Sequence, residues 1–531
     1  MMESSTELKC RKPFLKPIET KRKTIEELEM EVEEEEPLSP TAKMFLDPIL
    51  NIHVMAIMFC KTRISPQPTK DKLVHTLLKH PRFTSVLVVD EENGGEMKWV
   101  QTKVDLNQHI IIPEIDESKL ELSPEKYVED YVHNLTKTSL DKSKPLWEFH
   151  LLNIRTRDAE AVSLFRAHHS LGDGTSLISL LLACTRQTAD ELKLPTIPTK
   201  KRRPTYDSGK ANVQGGLLGL WGYVLAVWIF IRMIGNTIVD VFMVIATLVF
   251  LKDTETPINS LAADSKSKIR RIVHRTISLD DMKLVKNALN MTVNDVALGI
   301  TQAGLSKYLN RRYAVGKEDK GDTEENNNLP LGIRLRSCLM INLRSTPGIQ
   351  DLADMMEKGS KGKWGGWGNW FGCALLPFKI ALRDDPLDYV KEAKATIDRK
   401  KNSFEALYTL VMAELLSKIY GIKAVSGMTQ RVFSSATICF TNLVGPQEEI
   451  EFCGHPLAYF APTSYGQPNA LTINFQSYIN KMTIVLSIDE SAIPDPQQLL
   501  DDFEDSMKLI KDAVIERGLV KNRNDQDITP I

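Results

Sequence analysis

Between residues 147 and 184 the apolar positions change period. Trp147 to Ile154 alternates as a half-buried strand does, and Ala161 to Ala167 is a second apolar run. Gly174 to Cys184 carries the spacing of an apolar helix. The pattern predicts two paired strands, the second leading through a turn into a helix. Elsewhere Asp71–His80 reads as a helix. Ser85–Val89 and Trp99–Val104 read as a hairpin around Glu91-Glu92-Asn93-Gly94-Gly95, and Ser123–Leu140 as a helix capped by Ser123. Further strands are predicted at Arg270–Leu279, Ser337–Leu343, Ala436–Asn442, Leu471–Ser477 and Met482–Ile488. Further helices are predicted at Asn294–Asn310 (with Thr292 near its cap), Asp388–Lys400, Phe404–Tyr420 and Asp495–Arg517. Strands and helices interleave in both halves, which indicates an α/β fold.

Gly215–Leu251 breaks this rhythm. It holds one basic residue, Arg232, and one acidic residue, Asp240. Leu217 to Ile231 is uncharged and carries Trp221, Tyr223 and Trp228, and Val241 to Leu251 is a shorter apolar run. A bilayer-crossing helix needs about 20 apolar residues, so the first run nearly suffices and the second falls short. Trp and Tyr among leucines suit a membrane interface. A single crossing would separate the residues before it from those after it. If both build one site the number of crossings is even, which favours a helical hairpin or an interfacial dip. A buried pair of core helices is the alternative without a membrane role.

Composition adds few constraints. The 531 residues are 42% hydrophobic and 26% charged, with a formal net charge of -2. These are values of a globular protein with no bias toward nucleic acid. The seven cysteines are scattered without C-x-x-C spacing, which argues against a zinc site and for a reducing compartment. Residues 1–36 segregate their charge, from Lys9, Arg11 and Lys12 to the run Glu33 through Glu36, as a solvated tail does; a basic contact to anionic lipid is the alternative. Pro195, Pro198, Pro204 and Lys200-Lys201-Arg202-Arg203 mark a linker. Residues 317–328 and 361–372 read as loops, the second rich in Gly and Trp.

Candidate chemistry sits at the strand-to-helix turn, Arg166-Ala167-His168-His169-Ser170-Leu171-Gly172-Asp173-Gly174. Histidine titrates near neutrality and can take and return a proton. Two adjacent histidines alone could equally be a core pair or a weak metal site. The spacing His-His-x-x-x-Asp-Gly at such a turn favours the catalytic reading. No Gly-x-Ser-x-Gly nucleophile elbow is present.

This motif resembles the signature of the CoA-dependent acyltransferase superfamily. The chain is most similar to the bifunctional wax ester synthase/diacylglycerol acyltransferase family, particularly its plant members. The similarity runs from Pro37-Leu38-Ser39-Pro40 through His80-Pro81-Arg82-Phe83, Pro145-Leu146-Trp147-Glu148 and the histidine motif. It continues through Thr292-Val293-Asn294-Asp295-Val296, Ile341-Asn342-Leu343-Arg344, Trp367-Gly368-Asn369 with Gly372, and Thr441-Asn442-Leu443-Val444-Gly445-Pro446. The resemblance implies two chloramphenicol-acetyltransferase-like subdomains around a central tunnel, joined by a crossover. CoA would enter one mouth and the acceptor the other. His169 would be the general base, acting directly on the acceptor hydroxyl without an acyl-enzyme. His168 would be structural or a modest aid. Asp173 would hold the loop shape rather than orient the imidazole, with Arg344 as its candidate partner, and Gly174 would allow close packing as the helix begins. Asn294, Asn342, Arg344, Asn369 and Asn442 would bind substrate. The substrates implied are a fatty acyl-CoA and a long-chain alcohol or diacylglycerol, with membrane lipid as a further contact and neither cofactor nor metal.

The expected organisation is a charged tail over 1–36, an N-terminal subdomain over 37–195, a basic linker and apolar membrane-associated helices over 196–260, and a C-terminal subdomain over 261–531. The expected location is the endoplasmic reticulum membrane, with the plasma membrane as alternative and the catalytic part facing the cytosol. Two other readings compete: a catalytically silent membrane-associated lipid-binding scaffold, and a related acyltransferase with another alcohol acceptor. Soluble acyltransferases of plant secondary metabolism carry Asp-Phe-Gly-Trp-Gly, which is absent here.

Overall fold

A computed structural model describes residues 35–90, 95–120, 123–198, 217–259, 268–315, 326–343, 349–358 and 367–520. The charged tail, the basic cluster at 200–203, most of the 317–328 loop, residues 361–366 and Arg344 lie outside the described residues.

Two sheets organise the chain. The first has seven strands in the order Ile110–Ile111, Trp147–Leu152, Ala161–His168, His53–Cys60, His455–Tyr465, Ile450–Phe452, Thr185–Gln187. The second has six, in the order Phe371–Lys379, Arg334–Asn342, Ile438–Leu443, Leu471–Tyr478, Lys481–Ile488, Arg271–Ser278. A small third sheet joins Glu35–Pro37, Glu96–Gln101 and Ser85–Asp90. Helices cover both large sheets, giving the expected α/β layering. One hydrophobic core forms around Trp147, Phe149, Leu164 and Phe460, and another around Leu298, Tyr308, Phe475 and Leu486. A third cluster, with Met44, Phe45, Leu375 and Phe433, fills the space beside the site.

Strand His455–Tyr465 is the crossover that the resemblance implies. It leaves the second half of the chain and pairs along His53–Cys60 in the first sheet, with Ser464 opposite Val54 and Tyr465 opposite His53. Pattern reading missed it because Pro456 and Pro462 interrupt the alternation. The fold tolerates Pro462 because, among the described residues, the neighbouring strand pairs only with His455 and Pro456. Arg166 secures the crossover: it is buried, and its Nε donates to Tyr465 Oη at 2.6 Å.

Two helices also differ from expectation. The predicted Asp71–His80 helix instead spans Pro66–His75, followed by a tight turn at Leu77–Lys79. Pro66 and Pro68 occupy the first turn, where a missing N–H costs nothing. Helix Ile422–Ser434 was not foreseen; Gly421, at φ 79°, separates it from Glu405–Tyr420.

The apolar segment corrects the hairpin reading. It is one continuous helix, Leu217–Val249, long and apolar enough to cross a membrane. Residues 221–232 are exposed on every side, with Trp221 at 66% and Trp228 at 62% of full accessibility. The second half of the helix docks on the body. Asn236 Nδ2 donates to Asn402 O at 2.9 Å, and Thr237 Oγ1 accepts from Phe404 N at 2.9 Å. Asp240 is fully buried, paired with Lys400 at 2.9 Å and Arg399 at 2.7 Å. These partners offset the cost of holding a carboxylate and an amide against the body. Just beyond its end, Asp253 and Arg336 form a buried pair at 2.6 Å.

Candidate active site

His169 stands where the two sheets meet. Strand Ala161–His168 runs antiparallel to His53–Cys60, with His168 opposite His53, and one residue later His169 N–H donates to Ile52 O at 3.0 Å. Helix Gly174–Ala183 begins five residues on, capped by Asp173, whose Oδ1 accepts from Ser176 N at 2.9 Å.

Residues 367–370, some 200 positions away, fasten onto this turn. Trp367 Nε1 donates to Leu171 O at 2.8 Å. Gly368 O accepts from Asp173 N and Ser176 Oγ, both at 3.1 Å. Trp370 N donates to Asp173 Oδ2 at 3.1 Å. Asp173 thus ties the helix start at Ser176 to residue 370. Space is tight at Gly172 rather than Gly174: a Cβ on Gly172 would come within 3.1 Å of the Trp367 ring, whereas one on Gly174 would meet open space. The close-packing role expected of Gly174 thus belongs to Gly172.

Asn369 completes the clasp. Its Nδ2 donates to His169 O at 2.9 Å and Ser170 O at 3.4 Å, which fixes the amide so that Oδ1 faces His169 Nδ1 at 3.1 Å. An amide oxygen only accepts, so Nδ1 carries the proton and the lone pair is on Nε2. Phe45 covers the ring at a centroid distance of 4.4 Å, and Phe371 lies at 6.2 Å. Burial pushes the His169 pKa below its ordinary value, partly offset by the Asp173 charge and the bond to Asn369. The ring is thus neutral at pH 7, the form a general base needs. His168 is engaged on both sides. Its Nδ1 accepts from Ser170 N at 3.2 Å and its Nε2 faces Asn51 Oδ1 at 3.3 Å, while the ring meets His53 edge-on. No nitrogen of His168 is left for a substrate.

A cavity of about 260 Å³ surrounds His169, lined also by Thr175, Asn342, Phe371, Asn442 and Ser464. Asn442 Nδ2 donates to Asn294 Oδ1, joining strand Ile438–Leu443 to the start of helix Val293–Val315. Through Thr175, Ile178, Asn442 and Leu443 this cavity adjoins an open one of about 730 Å³ that includes Lys193. Sequence reasoning named Asn369 but missed its bond to His169, and it missed Phe45 and Phe371 altogether. Their signal lies in tertiary packing, not in local spacing.

The geometry carries a pH prediction. The acid limb of kcat/KM is expected below pH 6.5, because protonation of the buried ring is disfavoured. Asn369→Leu removes a bond that raises the His169 pKa, so the limb should move lower still while the rate falls about 10–100-fold as the ring loses its orientation. Asn369→Asp puts a negative charge against the ring and should move the limb up. Profiles of the three proteins check both signs.

Residues 47–297 match the family model of the wax ester synthase/diacylglycerol acyltransferase catalytic domain, and residues 367–511 match the WS/DGAT C-terminal domain. The chain is 48% identical over 487 residues to wax ester synthase/diacylglycerol acyltransferase 5 of Arabidopsis thaliana, covering 91% of this chain and 95% of that one. It is 47% identical over 492 residues to wax ester synthase/diacylglycerol acyltransferase 11 of the same plant, covering 92% and 97%. Its fold is similar to the solved wax ester synthase/diacylglycerol acyltransferase from Marinobacter aquaeolei VT8, with a TM-score of 0.56 at 17% identity, covering 90% of this chain and all of that one.

Proposed function

Since the chain belongs to the wax ester synthase/diacylglycerol acyltransferase family, we propose that it moves a long-chain fatty acyl group from acyl-CoA to the hydroxyl of a fatty alcohol or diacylglycerol, with His169 as general base. The observation that carries this reading is the Asn369 clasp, which leaves Nε2 of a neutral imidazole for the cavity the ring lines. Nε2 takes the hydroxyl proton as the oxygen attacks the thioester carbonyl. The C–O bond forms, the tetrahedral oxyanion collapses, the C–S bond breaks and the departing thiolate takes the proton back from the imidazolium. Asn369 acts as a positioning residue, and Asn342 and Asn442 line the same cavity as His169, where substrate would meet them.

The apolar helix supports a membrane site of action. The halves before and after it share one sheet and one clasp, so they stand on the same side of any bilayer. A full crossing would require residues 199–216 to return through lipid with Lys200, Lys201, Arg202 and Arg203, at about 2.5–3.5 kcal/mol per charge at the bilayer centre. The reading is therefore a helix whose exposed half enters one leaflet without traversing it. The endoplasmic reticulum membrane, with the catalytic body in the cytosol, is the location this proposes.

Labelled palmitoyl-CoA supplied with equal hexadecanol and diacylglycerol, followed by lipid separation, tests the activity. Wax ester or triacylglycerol is the expected product, and their ratio names the preferred acceptor. Folded protein in lipid that yields neither would favour the scaffold reading.

A further inference from the structure

The cavity at His169 does not end at the catalytic ring. Met340 and Phe371 line it, and the same two side chains line a second cavity of about 190 Å³. Phe371 stacks on Phe45 at 6.0 Å, and Phe45 covers His169. One layer of side chains therefore divides the two spaces. The second cavity is walled by Met44, by Ala413 and Met428, and by Val244, Ile245 and Leu248 from the docked end of the apolar helix. Thioether side chains adapt to irregular chains of varying length.

The outer surface beside this cavity is apolar too. On helix Glu405–Tyr420, Leu407, Val411, Leu415 and Ile419 recur every four residues and are exposed. On the apolar helix, Ile238, Phe242, Ile245 and Val249 recur every three or four residues and are exposed. The two helices touch, and Ile245 belongs both to the exposed stripe and to the cavity wall. Paired apolar stripes continuous with a half-inserted helix form a surface that partitions into lipid.

We propose that this second cavity takes the long alkyl chain of the acceptor. The chain enters from the leaflet beside the apolar helix, and the hydroxyl end reaches His169 past Met340 and Phe371. The inference rests on the acyl-transfer reading above. The occupant is the acceptor rather than the donor because this cavity abuts the lipid-facing stripes, whereas the one reached through Asn442 is larger, about 730 Å³, and open enough for a bulky, water-soluble CoA. The membrane helix is then part of the substrate site as well as an anchor.

Ala413→Phe and Leu248→Trp, each at a half-buried position, test this by narrowing the cavity. Wild type and variants are assayed in phosphatidylcholine vesicles with palmitoyl-CoA and alcohols from octanol to octadecanol. A buried methylene is worth about fourfold in affinity, so losing room for two or more should lower the hexadecanol-to-octanol turnover ratio at least tenfold. The preference for palmitoyl-CoA over octanoyl-CoA should not move. An unchanged alcohol ratio in folded variants, or a shift in donor preference instead, would overturn the assignment. Photo-crosslinking of the wild type with a terminal-diazirine hexadecanol needs neither variant nor turnover. Label on residues 244–248 and 408–416 is expected, and label confined elsewhere would overturn the proposal. If the wild type makes no ester, the acyl-transfer reading fails, while the cross-link still reports on the cavity.

Discussion

His169→Ala is expected to reduce ester formation by about 10²–10⁴-fold, the usual contribution of a positioned general base. The loss should fall on kcat, because the ring acts on the proton in flight and contributes little to holding two long lipid chains. His168→Ala should behave differently. Both nitrogens of His168 are engaged by Ser170 and Asn51, so its removal leaves buried partners unsatisfied and should lower stability more than intrinsic rate. Thermal melts beside initial rates separate the two cases. A His168 variant that melts normally yet loses as much activity as the His169 variant would move the base to the first histidine.

The second large effect concerns the end of the apolar helix. Asp253 and Arg336 are each only 3% exposed. Asp253 also accepts from Arg336 N at 2.9 Å, and from Thr437 N and Oγ1 at 2.8 Å each. Arg336 reaches Thr247 in the helix, Leu251 O at 3.1 Å and Ser435 O at 2.9 Å. One ion pair thus fastens the helix end to the second sheet. Asp253→Ala leaves a buried guanidinium without its counter-charge and should destabilise by roughly 3–5 kcal/mol. Asp253→Asn keeps an acceptor for the N–H groups and should cost less. Replacing both partners, as in Asp253→Leu with Arg336→Met, should recover part of the loss, because no lone charge stays buried. Equal melting temperatures for wild type and Asp253→Ala would show that the clamp is dispensable.

The legible parts of the chain were those whose determinants lie close together in sequence. Strand Ala161–His168 and helix Gly174–Ala183 follow from local period, and their junction placed His169 and Asp173 in one turn. The loop-holding role of Asp173 came only from family resemblance, and its bonds to Ser176 and Trp370 were not legible at all. The orienting role of Asn369 was not legible, because its partner lies 200 residues away and no local spacing encodes the bond. The strand His455–Tyr465 escaped for a similar reason, since its partner strand is His53–Cys60 and two prolines mask its period. The hairpin reading of Gly215–Leu251 rested on an even number of crossings and on two separate apolar runs, and nothing local shows that the runs are one helix. Docking supplies Asn402, Lys400 and Arg399 as partners, and the helix continues through Asn236 and Asp240.

In the proposed direct acyl transfer, His169 Nε2 removes the acceptor proton. Single-turnover ester formation from palmitoyl-CoA and hexadecanol, compared between wild type and a His169→Ala protein of equal melting temperature, tests it most directly. Ester from the wild type and about a hundredth or less of that rate from the variant is the expected result. A variant that keeps a tenth or more of the wild-type rate would contradict it.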